Sequence, residues 1–148
     1  MTFYQYHNDP TEPPTDRCLV FGTSLKGDLK LGFGPIARKK HAAKLNRPMG
    51  YNVYANVASS FGIPIKTADK FDIRTLDILR NIDEFIRFSV QSQQITFHIT
   101  DIASLMPRIQ NGVIQRFFIG CHRNCIFPDS WMQFIEPPTD LIEEKLEL

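Results

Sequence analysis

The hydrophobic pattern of the chain changes period several times, and the changes outline its elements. Residues 18–21 (CLVF) are a short apolar run of the kind a buried strand makes, and they open into a loop carrying Gly22, Gly27, Gly32 and Gly34. From Pro35 the chain re-enters regular structure with Ile36, Ala37, Ala42, Ala43 and Leu45, which predicts a helix over 35–47, Pro35 suiting its first turn because the missing donor is not needed there. Residues 46–52 read as a loop, and 53–60 fit neither period. A second apolar run, 60–65 (SFGIPI), predicts a strand with Pro64 late in it, followed by a polar loop over 66–70. The clearest helical period starts at Thr75: Leu76, Leu79, Ile82, Phe85 and Ile86 are expected on one buried side, with Thr75 as cap and Asp77 in the first turn. Residues 94–100 (QITFHIT) alternate, with Ile95, Phe97 and Ile99 on one face and Thr96, His98 and Thr100 on the other. A connection over 101–112, a short helix over 113–119, a last strand at 124–127 and a terminal helix over 141–148, capped by Asp140, complete the chain.

Strands alternating with helices predict an α/β fold with a mixed or mostly parallel sheet and helices over it. In such sheets ligands bind beyond the carboxyl ends of the strands, which singles out the connections 22–34, 66–73 and 101–112. The chain of 148 residues is expected to form one domain, residues 1–148, with 1–17 as an N-terminal arm and an acidic helical segment over 136–148. In the arm, Phe3, Tyr4 and Tyr6 could make an edge strand or lie over a site, whereas Pro10, Pro13 and Pro14 keep the rest extended. The pentapeptide EPPTD occurs at 12–16 and again at 136–140, as two similar entries into regular structure.

Composition narrows the setting without naming a function. Hydrophobic residues at 43% and charged residues at 22% are ordinary for a soluble globular protein, and no apolar run approaches the ~20 residues needed to span a bilayer. Three cysteines without a paired framework (Cys18, Cys121, Cys125), and a polar, aromatic start, lead to the expectation of a cytoplasmic protein. The net charge of +1 conceals an asymmetry. Residues 26–47 hold seven Lys and Arg against Asp28 alone, and residues 136–148 hold five acids against Lys145. The basic block surrounds the glycine loop, where a phosphate-bearing partner would be drawn; a solvated helix face is the plainer reading of Arg38, Lys39 and Lys40.

Candidate chemistry concentrates on that loop. Strand, glycine-rich loop and helix in this order can bind an anion, because glycines admit close backbone approach and a helix start presents unpaired N–H groups. Gly32-Phe33-Gly34 matches only part of a dinucleotide fingerprint, and a mobile surface loop is the alternative. Catalytic residues are few. Ser24, His41, His98 and Asp101 have no spacing that joins them into a triad, and Cys121 and Cys125 lack a second pair of soft ligands, so neither a metal nor a cofactor is expected. Asp28 and Asp69 are the carboxylates expected nearest a phosphate ligand, where they could orient water or a ribose hydroxyl.

The order FGTSLKGDLKLGFGPIARKKHA, SSFGIPIKTADKFDIRTLDILRNIDEFIRFSV, ITFHITDIAS and NCIFPDSW resembles a set of macrodomain-like proteins common in phage genomes. The likeness covers about residues 18–131. It implies a three-layer α/β/α macrodomain-like fold and a cleft for ADP-ribose or a related nucleotide in the host cytoplasm. The residues expected at that ligand are Gly22, Thr23, Ser24, Gly27, Asp28, Gly32, Phe33, Gly34, Lys66, Thr67, Asp69, Thr100, Asp101 and Ser104, with the Gly34 N–H meeting a phosphate. The family's Ile-Pro-Thr-Lys-Asp stands here as residues 63–69 (IPIKTAD), and its second glycine loop is replaced by residues 101–105 (DIASL), which adds Cβ atoms where a diphosphate would approach. Four functions follow as expectations: a non-enzymatic binder of an ADP-ribose-like nucleotide that sequesters a host-defence signal, a hydrolase of ADP-ribose derivatives, a nucleic-acid-binding module using the basic helix, and a protein-interaction surface.

Overall fold

The computed structural model describes residues 3–8 and 11–136. The expected terminal helix, its Asp140 cap and all of the second EPPTD copy beyond Glu136 lie outside the described residues. Along the chain run β1 (Gln5–His7), β2 (Cys18–Ser24), α1 (Gly34–Lys40), β3 (Gly50–Tyr54), β4 (Ala58–Lys66), α2 (Thr75–Gln91) and β5 (Phe97–Ile99). A 3-10 turn (Ile102–Leu105), α3 (Val113–Phe117), β6 (Cys125–Pro128), a second 3-10 turn (Asp129–Trp131) and α4 (Met132–Ile135) follow. The fold is α/β: one six-stranded sheet in the order β1-β6-β5-β2-β4-β3, parallel throughout except for the antiparallel β3–β4 pair.

Strand β2 is buried along its whole length because it is central in the sheet and covered on both faces. Its alternation divides the interior: Cys18 and Val20 join a large core with Phe61, Phe85, Phe97 and Trp131 on the α2 side, while Leu19 and Phe21 join a small one with Leu29, Ala37 and Ala43 on the α1 side. The α1 side also encloses polar groups. His98 lies beside Leu19 on the neighbouring strand. His7 stacks on the His98 ring at 3.8 Å and is hydrogen-bonded through Nε2 to the Ile99 carbonyl. The Arg17 guanidinium donates to His98 Nδ1 at 3.2 Å. Burial first, then the nearby His7, Arg17 and His41, push His98 down to about 3. His41 is fully enclosed, and neither of its ring nitrogens nor the Ser60 hydroxyl has a hydrogen-bond partner among the described residues. Burial lowers the His41 pKa, with the neighbouring backbone of Arg17, Pro13 and Ser59 acting in the opposite direction.

Several expectations change. The helix expected over 35–47 ends at Lys40 because Ala42 and Asn46 take positive φ (62° and 65°), and the Ala43 N–H folds back onto the Ala37 carbonyl instead of extending the helix. The loop expected over 46–52 gives way to β3 at Gly50, and residues 53–60, which fitted neither period, carry the hairpin in which β3 turns at Ala55 (φ 49°) into β4. Pro64 sits in β4 without harm because β3 pairs no further than Gly62, so on that side no partner requires its missing donor. Strand β5 is three residues long; residues 94–96 approach it through a turn closed by the Ile95 N–H on the Ser92 carbonyl. In α2 the buried stripe is Ile78, Ile82, Phe85 and Ser89, which share one side of a 3.6-residue helix, whereas Leu76 is 53% and Leu79 37% exposed. Arg74 holds the cap position in place of Thr75, without a side-chain cap bond, and pairs with Asp77 at 3.0 Å. The three cysteines are free and buried, and burial pushes the Cys18 thiol up to about 12. Among the described residues no helix is long and apolar enough to cross a membrane.

Candidate functional site

The chain leaves β2 toward β3 and β4 on one side and leaves β5 toward β6 on the other, so the strand order reverses between β2 and β5. Their carboxyl ends therefore flank the crevice in which open α/β sheets bind ligands. Two segments wall it: the loop from Ser24 to α1, and the 3-10 turn after Thr100. A hollow of ≈ 510 Å³ opens there, lined by Thr11, Gly32, Phe33, Ile36, Thr100, Asp101, Ser104 and Leu105.

The glycines serve different ends. Gly27, at φ 71°, backs onto Asn46 so closely that a Cβ would come within 2.9 Å of its Cα. Gly34 faces the Leu29 carbonyl, where a Cβ would stand 2.5 Å from the oxygen, and its N–H already donates to the Leu31 carbonyl at 2.8 Å. Both close the loop on itself, so the Gly34 N–H expected to meet a phosphate is engaged inside the protein, and a bulky residue there alters loop packing before it alters any ligand contact. Gly22, inside β2, and Gly32 both adjoin Leu105, whose Cδ1 would stand 3.2 and 3.0 Å from a Cβ on either, with Ile65 nearer still to Gly22 at 2.7 Å.

The remaining candidates divide into three groups. Thr100, Asp101 and Ser104 line the hollow with Gly32 and Phe33. Thr100 Oγ1 donates to the Val20 carbonyl at 2.8 Å. Asp101 caps the 3-10 turn, its Oδ1 accepting from the Ser104 N–H at 3.3 Å and from the Trp131 indole at 3.0 Å. A second group stands apart, at the carboxyl end of β4. Lys66 is ion-paired with Asp72, and Lys70 reaches Asp28 at 2.8 Å and Ser24 Oγ at 3.2 Å. The Lys70 hydrogen bond, aided by the Lys30 N–H, holds the Asp28 carboxyl below its usual range. With Phe71, Pro107 and Arg108 these lysines line a hollow of ≈ 390 Å³ that shares no lining residue with the first. The third group lines neither hollow: Thr23 donates to the Pro48 carbonyl at 2.6 Å, and Thr67 accepts the Phe71 N–H inside the turn that carries exposed Asp69.

Sequence reasoning missed Thr11, Ile36 and Leu105 in the first hollow and Lys70, Phe71, Asp72 and Arg108 in the second. Lys70 had a signal, four residues beyond Lys66 in a short polar loop; Leu105 had none, because its role depends on two glycines more than seventy residues upstream. Chemically, Asp28 is committed to a lysine, and no group of three or more His, Cys, Asp or Glu side chains among the described residues could hold a metal ion. The arrangement can enclose a partly apolar ligand and accept hydrogen bonds from it. Set against protein-family models, curated proteins and solved structures, the chain matches none.

Proposed function

We propose that the protein binds a nucleotide-derived ligand of the ADP-ribose class, without turning it over, in the crevice between β2 and β5. The observation that carries this reading is the ≈ 510 Å³ hollow at the reversal of strand order, where Phe33 and Ile36 offer apolar surface and Thr100, Asp101 and Ser104 offer polar groups. The resemblance to phage macrodomain-like proteins supports the same ligand class and a three-layer α/β/α arrangement of that kind, and with it a role in sequestering a nucleotide signal of host defence in the host cytoplasm. Binding without hydrolysis is favoured because Asp28 is ion-paired with Lys70 and Asp69 lies exposed on a turn, away from the hollow's lining.

The test is a thermal-shift panel of adenosine, AMP and ADP-ribose, followed by calorimetric titration of whatever stabilises the fold. A ligand selective for the folded state raises the melting temperature by mass action, and at a hundredfold excess over Kd the gain is about 2.7 kcal/mol. At least one of the three is expected to bind one-to-one and to be recovered intact. Absence of binding by all three, with salt-sensitive binding of single- or double-stranded nucleic acid in their place, would move the function to the basic segment 26–47.

A further inference from the structure

The crevice differs in two respects from one built around a diphosphate. Backbone approach is narrowed on one side of the hollow: Leu105 packs against Gly32, where a Cβ would stand 3.0 Å from its Cδ1, and Gly22 is covered by Ile65 together with Leu105, at 2.7 and 3.2 Å from a Cβ. The charge is also of the wrong sign, since among the described residues Asp101 is the one ionisable side chain lining the ≈ 510 Å³ hollow and brings a carboxylate to the place where phosphate oxygens would lie. Its Oδ1 is occupied by Trp131 and Ser104, whereas Oδ2 makes no hydrogen bond among the described residues. Asp101 and Ser104 also line an adjoining hollow of ≈ 270 Å³, so the carboxylate stands on the rim the two share. No cationic side chain is among the described residues lining this hollow; Lys66, Lys70 and Arg108 line the separate one, where two of the three are already paired with Asp72 and Asp28.

We infer that Leu105 and Asp101 are the specificity-determining residues of this crevice, and that they select an uncharged nucleoside over a ligand whose diphosphate must pass between the walls. The base lies on the apolar surface of Phe33, Ile36 and Leu105, and the ribose reaches the rim, where its vicinal hydroxyls donate to Asp101 Oδ2. A carboxylate accepts from a diol and repels a phosphate, so the same atom attracts one class and excludes the other. This rests on the crevice between β2 and β5 being the site of the proposed function, and it narrows the ligand there from the ADP-ribose class as a whole to its nucleoside part.

Calorimetric titration of the parent, Leu105→Ala and Asp101→Asn with adenosine, 2′,3′-dideoxyadenosine and ADP-ribose separates the outcomes. The parent is expected to bind adenosine at least tenfold more tightly than either of the other two. Leu105→Ala should gain tenfold or more for ADP-ribose by clearing the approach to the Gly32 backbone. Asp101→Asn keeps an oxygen for Trp131 and Ser104, and it should narrow the preference of adenosine over both competitors. Equal or tighter binding of ADP-ribose by the parent overturns the inference while leaving the nucleotide reading intact, and that ratio is measured on the parent alone, whatever the variants do to folding. Failure of all three ligands to bind the parent and both folded variants overturns the inference and the nucleotide reading together.

Discussion

On the face covered by α2 the sheet packs Phe61 and Phe97 about Phe85 at ring separations of 5.1 and 5.2 Å, with Phe118 against Trp131 at 5.3 Å beyond them. On the face covered by α1 it buries Leu19 and Phe21 against Leu29, Ala37 and Ala43, and the remaining space holds His7, His41, His98 and Ser60. Both faces exclude water, yet they do so with different materials. Aromatic burial stabilises over a wide range of conditions, whereas buried imidazoles stabilise only while they stay neutral. Fold stability should therefore depend on the first face, and its response to pH on the second.

The strongest way to break this comparison is to remove the central ring of the α2 face. Phe85→Ala should cost about 3–5 kcal/mol, the usual range for a fully buried phenylalanine, read as a fall in the urea midpoint at unchanged slope. A loss below about 1 kcal/mol would mean that the aromatic face is not the main source of stability.

Lowering the pH tests the other face. His98 has a folded pKa of about 3 against an unfolded value of about 6.5, and the pKa of His41 is lowered as well. In both the folded state prefers the neutral ring, so their contribution is complete above pH about 6.5 and declines as the pH falls below it, for His98 down to about 3. Each histidine that stays neutral on folding adds a slope approaching about 1.4 kcal/mol per pH unit inside that window. Urea melts between pH 7 and 5 should show the decline, and His98→Gln should flatten it; a parent profile flat over that range would contradict the burial of these rings.

The smallest effect sharpens the boundary between core and surface within one helix. Leu79→Ala, at a position 37% exposed, should cost about 0.5–1 kcal/mol, while Ile82→Ala on the buried stripe should cost about 2–5 kcal/mol. Matching urea midpoints for the two variants would mean that α2 is rotated from the orientation described above.

The comparison also explains what could be read from the sequence. Hydrophobic period placed α2, the last strand and the start of β2 well, but it ended β2 at Phe21, whereas Gly22, Thr23 and Ser24 continue the strand paired with β4, because the pairing partner and not side-chain hydrophobicity carries it on. It misplaced the buried stripe of α2: Leu76 and Leu79 are as apolar as Ile78, and only the packing partner decides which side turns inward. The hairpin of β3 and β4 escaped because its turn rests on Ala55 at positive φ, without the glycine or asparagine at that position that marks such turns. At the site, the segments that come together were legible as three connections after strands. Their separation into an apolar and a cationic hollow was not, since it depends on where Leu105 lies and on which carboxylates Lys66 and Lys70 reach.

The pairing of β1 with β6 bears on the order in which the molecule assembles. Phe3, Tyr4 and Tyr6 all donate to the Glu136 carboxylate, and Phe3 and Glu136 are 133 residues apart in sequence. Bringing such distant segments together in an otherwise unstructured chain carries a length-dependent entropy cost of about 4 kcal/mol, but once β2, β5 and β6 are side by side the only free loop is the roughly ten residues between β1 and β2, and the cost falls to about 2 kcal/mol. The route through a preformed sheet is the cheaper one. Strand β1 is thus a latch at one edge of the sheet, expected to close only after β2, β5 and β6 stand side by side.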